Sequence, residues 1–178
     1  SGRSIPKFNL FKAFTNCSNH LVQFGGHAYA AGLTIEEKNI GLFRDAINEV
    51  GYQYLKDEDL VPEIRIDTRL DLSQVDFKLY RNIALLEPFG AGNPTPSFQS
   101  QKIKIRELKF MGKEKTHVRF KAIQGDARIE VVAFNFSDIF KSMDTLNEVY
   151  DISYELHLNS WNGREKLELR LLDIRGMS

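Results

Sequence analysis

The chain has 178 residues, enough for one large domain or two small ones. A composition of 42% hydrophobic and 27% charged residues is that of an ordinary globular protein, and the lack of an apolar run of ~18 residues excludes a membrane-spanning helix. A formal net charge of zero argues against a generic nucleic-acid binder.

The first predicted element is a helix. Asn9 is placed to cap it, and apolar residues recur at helical spacing from Leu10 to Leu21. Cys17 lies on the apolar face, where we expect a buried thiol. As the only cysteine, it excludes a disulfide framework and a Cys-based zinc site and fits a reducing cytoplasm.

A turn, a strand and a second helix follow. Phe24-Gly25-Gly26-His27 must break the first helix, and the apolar residues 29–35 indicate a short strand. Thr34 and Glu37 fit a capping box before a helix that ends near Gly51. The charged stretch Lys56-Asp57-Glu58-Asp59 is interpreted as a solvated linker, so we place a domain boundary between residues 60 and 61.

The second domain opens with a lead-in. Alternation over residues 63–70 predicts a strand, and Ser73 begins a helix that Pro88 ends. The corner that follows, "LEPFGAGNPTPSF", combines prolines that fix φ with Gly90 and Gly92, which permit turns. It is read either as a rigid elbow that orients the following domain or as an ordinary helix-to-strand loop.

Everything after the corner is predicted as β-structure. Alternating strands begin near Lys102, near His117 and near Ile129, with a short helix over residues 138–143. Two more strands follow, joined at Asn162-Gly163, a strong hairpin signal. Five strands with one helix between the third and fourth predict an OB-fold β-barrel, so the fold class is α+β.

A basic stripe lies on the first two of these strands. Between Lys102 and Lys121 there are eight Lys or Arg against two Glu. If the strands pair through a turn near Gly112, one face carries a set of side chains that could follow phosphates: Lys102, Lys104, Arg106, His117, Arg119 and Lys121. Phe120 would then point into the core, which leaves Phe110 and Trp161 for base stacking or for local packing. An ordinary solvated strand face is the alternative.

The Gly25-Gly26 pair exposes backbone N–H groups that can surround an anion, and His27 could donate to the same phosphate. A helix C-cap with a packed histidine is the alternative. The remaining histidines complete no metal-ligand spacing, and no Ser-His-Asp or Cys-His arrangement can be argued.

"SGRSI", "FGGHAYAAG" and "LEPFGAGNPTPSF", in this order, resemble the C-terminal half of the RecJ family of single-strand-specific 5′→3′ DNA exonucleases. "LHLNSWNGREKLELRLLDI" resembles the end of that family's OB domain. The resemblance implies a DHH-associated domain over residues 1–60 and a RecJ-type OB domain over residues 61–178. It also implies a phosphate-binding set, namely Ser1, Arg3, Ser4, Gly25, Gly26 and His27.

The resemblance implies a role in DNA repair and recombination, with single-stranded DNA as partner and no membrane. The Asp-His-His motif that holds the family's Mn²⁺ or Mg²⁺ is missing from these residues, so we expect a fragment that binds no cofactor, contains no catalytic residues and does not cut DNA by itself. Two alternatives remain. One is an OB module that docks a single-strand-binding protein or helicase, and the other is part of a DHH phosphodiesterase acting on short nucleotides.

Overall fold

The computed structural model describes residues 1–145 and 148–176 and divides into two compact units, Ser1–Glu63 and Ile64–Ser178. Each unit has its own hydrophobic core. The predicted linker forms a 3-10 turn, Asp57–Leu60, in which Asp59 pairs with Lys7 at 2.9 Å. No helix of the described residues is long and apolar enough to cross a membrane.

The first unit packs two helices on a three-stranded antiparallel sheet with strand order β1-β3-β2. Its elements are β1 (Gly2–Arg3), α1 (Leu10–Asn16), β2 (Gln23–His27), β3 (Ala30–Thr34) and α2 (Ile40–Tyr54). Alternate strand residues face the helices, so Phe24, Ala31 and Leu33 share a core with Leu10 and Phe14.

The predicted cap of the first helix is confirmed. The Asn9 side chain accepts a hydrogen bond from the Lys12 N–H at 3.0 Å. The helix ends earlier than predicted, at Asn16, because Cys17 leaves helical geometry and a 3-10 turn follows over Ser18–His20. Cys17 is buried, as expected, and burial raises the pKa of its thiol.

The prediction of a turn at Phe24-Gly25-Gly26-His27 was wrong. These residues lie inside β2, and the turn comes after them, at residues 28–29. Glycine was read as a helix breaker, but here Gly26 lets two strands approach closely. A Cβ on Gly26 would lie 2.4 Å from the Ala30 carbonyl oxygen, and its φ is +138°.

The second helix also differs from its prediction. The capping box of Thr34 and Glu37 is not formed, because Glu37 opens a 3-10 turn that leads into α2. The helix continues through Gly51 to Tyr54, since the helix tolerates glycine where its apolar face is packed. Val50 on that face is buried against Ala13 and Cys17 of α1.

The lead-in to the second unit is less regular than predicted. Only β4 (Thr68–Arg69) is a strand, and it pairs in parallel with the first barrel strand. A 3-10 turn occupies Leu72–Gln74, and α3 (Phe77–Ala84) begins later than predicted. Asp76 caps α3 by accepting from the Leu79 N–H at 2.7 Å.

The remaining elements form a closed five-stranded barrel. They are β5 (Ser97–Met111), β6 (His117–Gln124), β7 (Ala127–Ala133), α4 (Ser137–Lys141), β8 (Tyr150–Trp161) and β9 (Arg164–Gly176). The strand order is β5-β6-β7-β9-β8, with β7 and β9 parallel and β8 returning to β5. This topology and the helix after the third barrel strand confirm the predicted OB fold.

The corner between α3 and β5 is held around Asn93, whose backbone exchanges two hydrogen bonds with that of Gly90, at 2.8 and 3.0 Å. The Asn93 side-chain amide donates to the carbonyls of Leu86 at 2.7 Å and Pro88 at 3.1 Å. Gly90 and Gly92 lie outside the positive-φ region, and an added Cβ on either would meet nothing within 4 Å. The prediction that these glycines permit the turn was therefore wrong. The corner also lies within one unit, so it does not join the two.

Candidate nucleic-acid interface

The predicted sorting of side chains on β5 and β6 is confirmed at the core. Ile103 and Ile105 point into the barrel and are fully buried, as are Val118 and Phe120. Because strand residues alternate, their neighbours Lys104, Arg106, Arg119 and Lys121 point outward. The basic stripe is therefore part of the outer barrel surface.

The register within the stripe differs from the simplest expectation. The pairing of β5 with β6 shifts between Arg106 and Lys109, so that Arg106 lies opposite Lys121 and Lys109 lies opposite Arg119. Glu107, at the shift, has a φ of +54°. The inserted residue reverses the faces beyond it, and its sign in the sequence is the three-residue step from Ile105 to Leu108 within the alternating apolar residues. Lys109 consequently joins the basic face without having been predicted there.

Carboxylates from other positions neutralise part of the stripe. Arg119 lies 3.1 Å from Glu130 of β7, and Lys121 lies 2.6 Å from Glu107. The hydrogen bond from Lys121, reinforced by its charge, lowers the pKa of Glu107 from its ordinary value. The sequence count missed Glu130 because that residue reaches the stripe only through the pairing of β6 with β7.

The other predicted cations have distinct surroundings. Lys102 lies at a second register shift, where β5 pairs with β8, and its backbone N–H donates to Asp151 at 3.1 Å. The Arg106 guanidinium donates to the Ile105 carbonyl at 2.8 Å. Within residues 1–145 and 148–176, the side chains of Lys104 and Lys109 form no ion pair, so their charges face solvent.

His117, which was predicted to contact phosphate, uses its Nδ1 within the protein. Its Nδ1 accepts a hydrogen bond from the Asn135 backbone N–H at 3.1 Å. That bond uses the Nδ1 lone pair, which a protonated imidazole would lack. His117 therefore positions the turn after β7.

The structure describes the side chain of one of the two predicted stacking residues, Phe110. Phe110 lies opposite the buried Val118 and is 37% exposed at the end of the strand pair. The Trp161 side chain lies outside the described part of the structure, so the prediction for it stays a prediction. Sequence reasoning passed over Phe134, which is 46% exposed directly after β7. An aromatic residue followed by Asn at the exit of a strand was the signal available for it.

The sheet of the first unit brings together two residues of the predicted phosphate-binding set. Arg3 of β1 and His27 of β2 both pair with Ala30 of β3. Residues in register across a sheet share a face, so both side chains point away from the helices, about 10 Å apart with only a methyl group between them. Gly25 lies on the same face, and a Cβ there would meet nothing within 4 Å.

Ser4 and Ser1 contribute less to this face. The Ser4 hydroxyl donates to the Phe8 carbonyl at 2.6 Å, and the Ser4 N–H donates to Tyr29 at 2.9 Å. Its donors thus hold the hairpin against the segment before α1. Ser1 is exposed directly before β1.

A cleft of about 750 Å³ in the first unit lies on the helix side of the sheet, where Phe11, Val50 and Tyr54 form part of its lining. Gly26 and His27 line it together with Lys7, Asn9 and Lys12. The lining of the cleft therefore mixes cationic and apolar side chains.

The RecJ OB domain family matches residues 66–173, which is more than half of the chain. The chain belongs to this RecJ family. It is 29% identical over 173 residues to the single-stranded-DNA-specific exonuclease RecJ of Bacillus subtilis (strain 168), covering 97% of this chain and 22% of that protein. It is 27% identical to the protein of the same name from Thermus thermophilus, covering 97% and 24%.

A solved RecJ structure agrees with the fold. The crystal structure of RecJ in complex with Mn²⁺ from Thermus thermophilus superposes with a TM-score of 0.75 and 25% identity, covering 99% of this chain and 25% of that one. The chain thus spans less than a third of the length of the RecJ proteins it matches. The predicted family is confirmed, and both units have a counterpart in RecJ.

The acidic and histidine side chains of the described residues are dispersed. Within the described ranges, no three His, Cys, Asp or Glu side chains come together in a group that could hold an ion. The acidic residues near the stripe are instead spread over ion pairs with Arg119, Lys121 and Lys166.

Proposed function

We propose that this chain supplies the strand-binding part of a single-stranded-DNA-specific exonuclease, while hydrolysis takes place on other parts of that enzyme. The RecJ relatives carry that activity in their names, and less than a third of their length aligns with this chain. The exposed cations on the outer face of β5 and β6 are the observation that carries the proposal.

This face suits a phosphate backbone. Lys104, Arg106 and Lys109 follow one strand. Strand spacing places Lys104 and Arg106 about 7 Å apart, comparable to the phosphate spacing of an extended single strand, and Lys109 follows beyond the register shift. Arg119 and Lys121 extend the face to β6, each held in place by one carboxylate. A basic surface of this kind binds without reading base sequence.

The second phosphate contact is proposed on the sheet of the first unit. Arg3 and His27 would hold a phosphate from either side of Ala30, with the backbone around Gly25 free of side chains. A guanidinium can grip two phosphate oxygens at once, which an ammonium cannot.

Hydrolysis is assigned elsewhere in the enzyme. RecJ of Thermus thermophilus has been crystallised with Mn²⁺ and with Mg²⁺. We propose that such an ion, which would activate water, is held outside the residues present here. The purified chain with manganese should leave a labelled single strand intact, and digestion by a clean preparation would contradict this assignment.

Charge reversal tests the OB face directly. Lys104→Glu with Lys109→Glu should weaken binding of a fluorescent oligonucleotide and lower the slope of log affinity against log salt. The slope should decrease in magnitude by about 0.7 for each phosphate contact that is lost. The matched control reverses Lys78 and Arg81 on α3, which changes the net charge equally and should leave the slope nearly unchanged.

Two outcomes would argue against the proposal. Equal effects of the two double variants would assign the binding to overall charge rather than to this face. Flat anisotropy of the unmodified chain at low salt would instead favour a docking surface for a protein such as a single-strand-binding protein or helicase.

A further inference from the structure

An aromatic ring stands exposed on the OB barrel outside the basic stripe. Phe134 follows β7 directly, and 46% of it is accessible although the three residues before it are buried. A large apolar side chain with this exposure is available to a ligand.

The Phe134 ring is held in place before any ligand arrives. Two hydrogen bonds tie the turn that carries it to the start of β6 and the residue before it. The Asn135 N–H donates to His117 Nδ1 at 3.1 Å, and the Ser137 N–H donates to the Thr116 carbonyl at 3.2 Å. The His117 ring meets the Phe134 ring edge-on, with centroids 5.2 Å apart. A ring fixed in this way loses little conformational freedom on binding.

A depression of about 200 Å³ adjoins the ring. Val132 and Arg170 are register partners on β7 and β9, and the Arg170 guanidinium lies 5.4 Å from the Phe134 centroid. His157 and Glu168, partners on β8 and β9, complete the lining. Because the guanidinium lies over one face of the Phe134 ring, the site offers the aromatic ring and the guanidinium plane beside the Val132 side chain.

The lining carries one carboxylate, of Glu168, and one guanidinium, of Arg170. Glu168 is nearly buried, and its carboxylate is held by Asn159 at 3.3 Å and His157 at 3.4 Å. A fixed carboxylate repels a phosphate, but it accepts hydrogen bonds from the ring N–H or amino groups of a nucleobase. Arg170 can stack on a base or contact the adjoining backbone.

We propose that this depression binds one nucleobase of a single strand, stacked on Phe134. The inference rests on the proposed function and adds to it a second kind of contact, since the lysine-rich face of β5 binds backbone and this site binds a base. Stacking of this kind is tolerant of base identity.

The test compares two ligands and three variants of the whole chain. Phe134→Ala should weaken binding of a mixed-sequence single strand by about 5- to 150-fold, the range for loss of one stacked base. Phe134→Tyr, which keeps the ring, should bind like the unmodified chain, and Phe134→Leu, which keeps only apolar volume, should bind like the alanine variant. An abasic strand of the same length should bind the unmodified chain and the alanine variant equally.

The salt dependence separates this inference from the proposed function. Phe134 contacts no phosphate, so its replacement should leave the salt slope unchanged, whereas the Lys104 and Lys109 reversal should lower it. Unaltered affinity of Phe134→Ala, or an equal loss on abasic DNA, would overturn the inference alone. If the unmodified chain binds neither ligand, the proposed function fails and this site with it.

Discussion

The position of Gly26 tolerates few residues other than glycine. Its φ of +138° is rarely adopted by residues with a side chain, and the nearest backbone atoms of β3 lie within 2.5 Å of where a Cβ would be. The adjacent Gly25 has neither constraint, because the space beside it is open. The pair thus divides into one glycine that the fold requires and one that leaves a bare surface.

Gly26→Ala should therefore destabilise the first unit by about 2 kcal/mol or more, since both the strained φ and the backbone clash must be relieved. Gly25→Ala should change its stability by less than about 1 kcal/mol. Hydrogen exchange of the β2 and β3 amides would measure both effects locally. Similar exchange rates in the two variants would contradict this division.

At the level of elements, a buried hydrogen-bonded chain ties the lead-in to the barrel. The Ser100 hydroxyl of β5 donates to the Leu70 carbonyl at 2.7 Å and lies 2.8 Å from the Tyr154 hydroxyl of β8. Tyr154 is fully buried, and this burial raises the pKa of its phenol to about 12. The neutral phenol is thus part of the closed barrel.

The pH dependence of stability follows from that shift. The folded pKa exceeds the unfolded one, so Tyr154 contributes fully below about pH 10 and its contribution is lost as the pH rises through about 12. Tyr154→Phe should be less stable by about 1 kcal/mol at pH 8, from the lost hydrogen bond, and this difference should shrink between pH 10 and 12.

Urea unfolding followed by circular dichroism at several pH values would measure this difference. Tyr150, whose pKa burial also raises to about 12, is present in both proteins, so its titration cancels. A difference that stays constant up to pH 12 would show that Tyr154 is not held neutral by the fold.

Strict alternation predicted the barrel strands correctly. The same pattern predicted a longer strand in the lead-in than the structure contains. Residues 150–158 alternate without interruption, and one inward-facing register of β8 satisfies them. Residues 63–70 also alternate, yet only Thr68–Arg69 finds a partner strand. A strand needs an available edge as well as a pattern, and only the folded β5 supplies that edge.

Much of the candidate site depended on contacts that no local pattern records. The sequence predicted His27 from the glycines before it and the lysines of β5 from alternation, whereas Arg3 was predicted only from the family resemblance. The positions of the Glu130 and Glu168 carboxylates, and the surroundings of Phe134, depend on pairings between strands far apart in sequence. Electrostatics summed over one segment therefore overstated the charge of the stripe.

For the whole chain, we expect the two proposed phosphate-binding surfaces to act independently, because they lie in separate compact units. Arg3→Ala should lower the salt slope of oligonucleotide binding by about 0.7, and this change should add to that of the Lys104 and Lys109 reversal. Arg44→Ala on α2 serves as the control for the first unit. An unchanged slope for Arg3→Ala would remove the first unit from the proposed interface.

Barrel closure has a consequence for how this polypeptide is made. Ser100 and Tyr154, which meet where β5 joins β8, are separated by 54 residues along the chain. During translation β5, β6 and β7 leave the ribosome before β8 and β9. The edge of β5 that pairs with β8 therefore stays unpaired until β8 emerges. Such long-range pairing is slow to form, so protection of the nascent edge, by a chaperone or by rapid elongation, should govern the yield of folded protein.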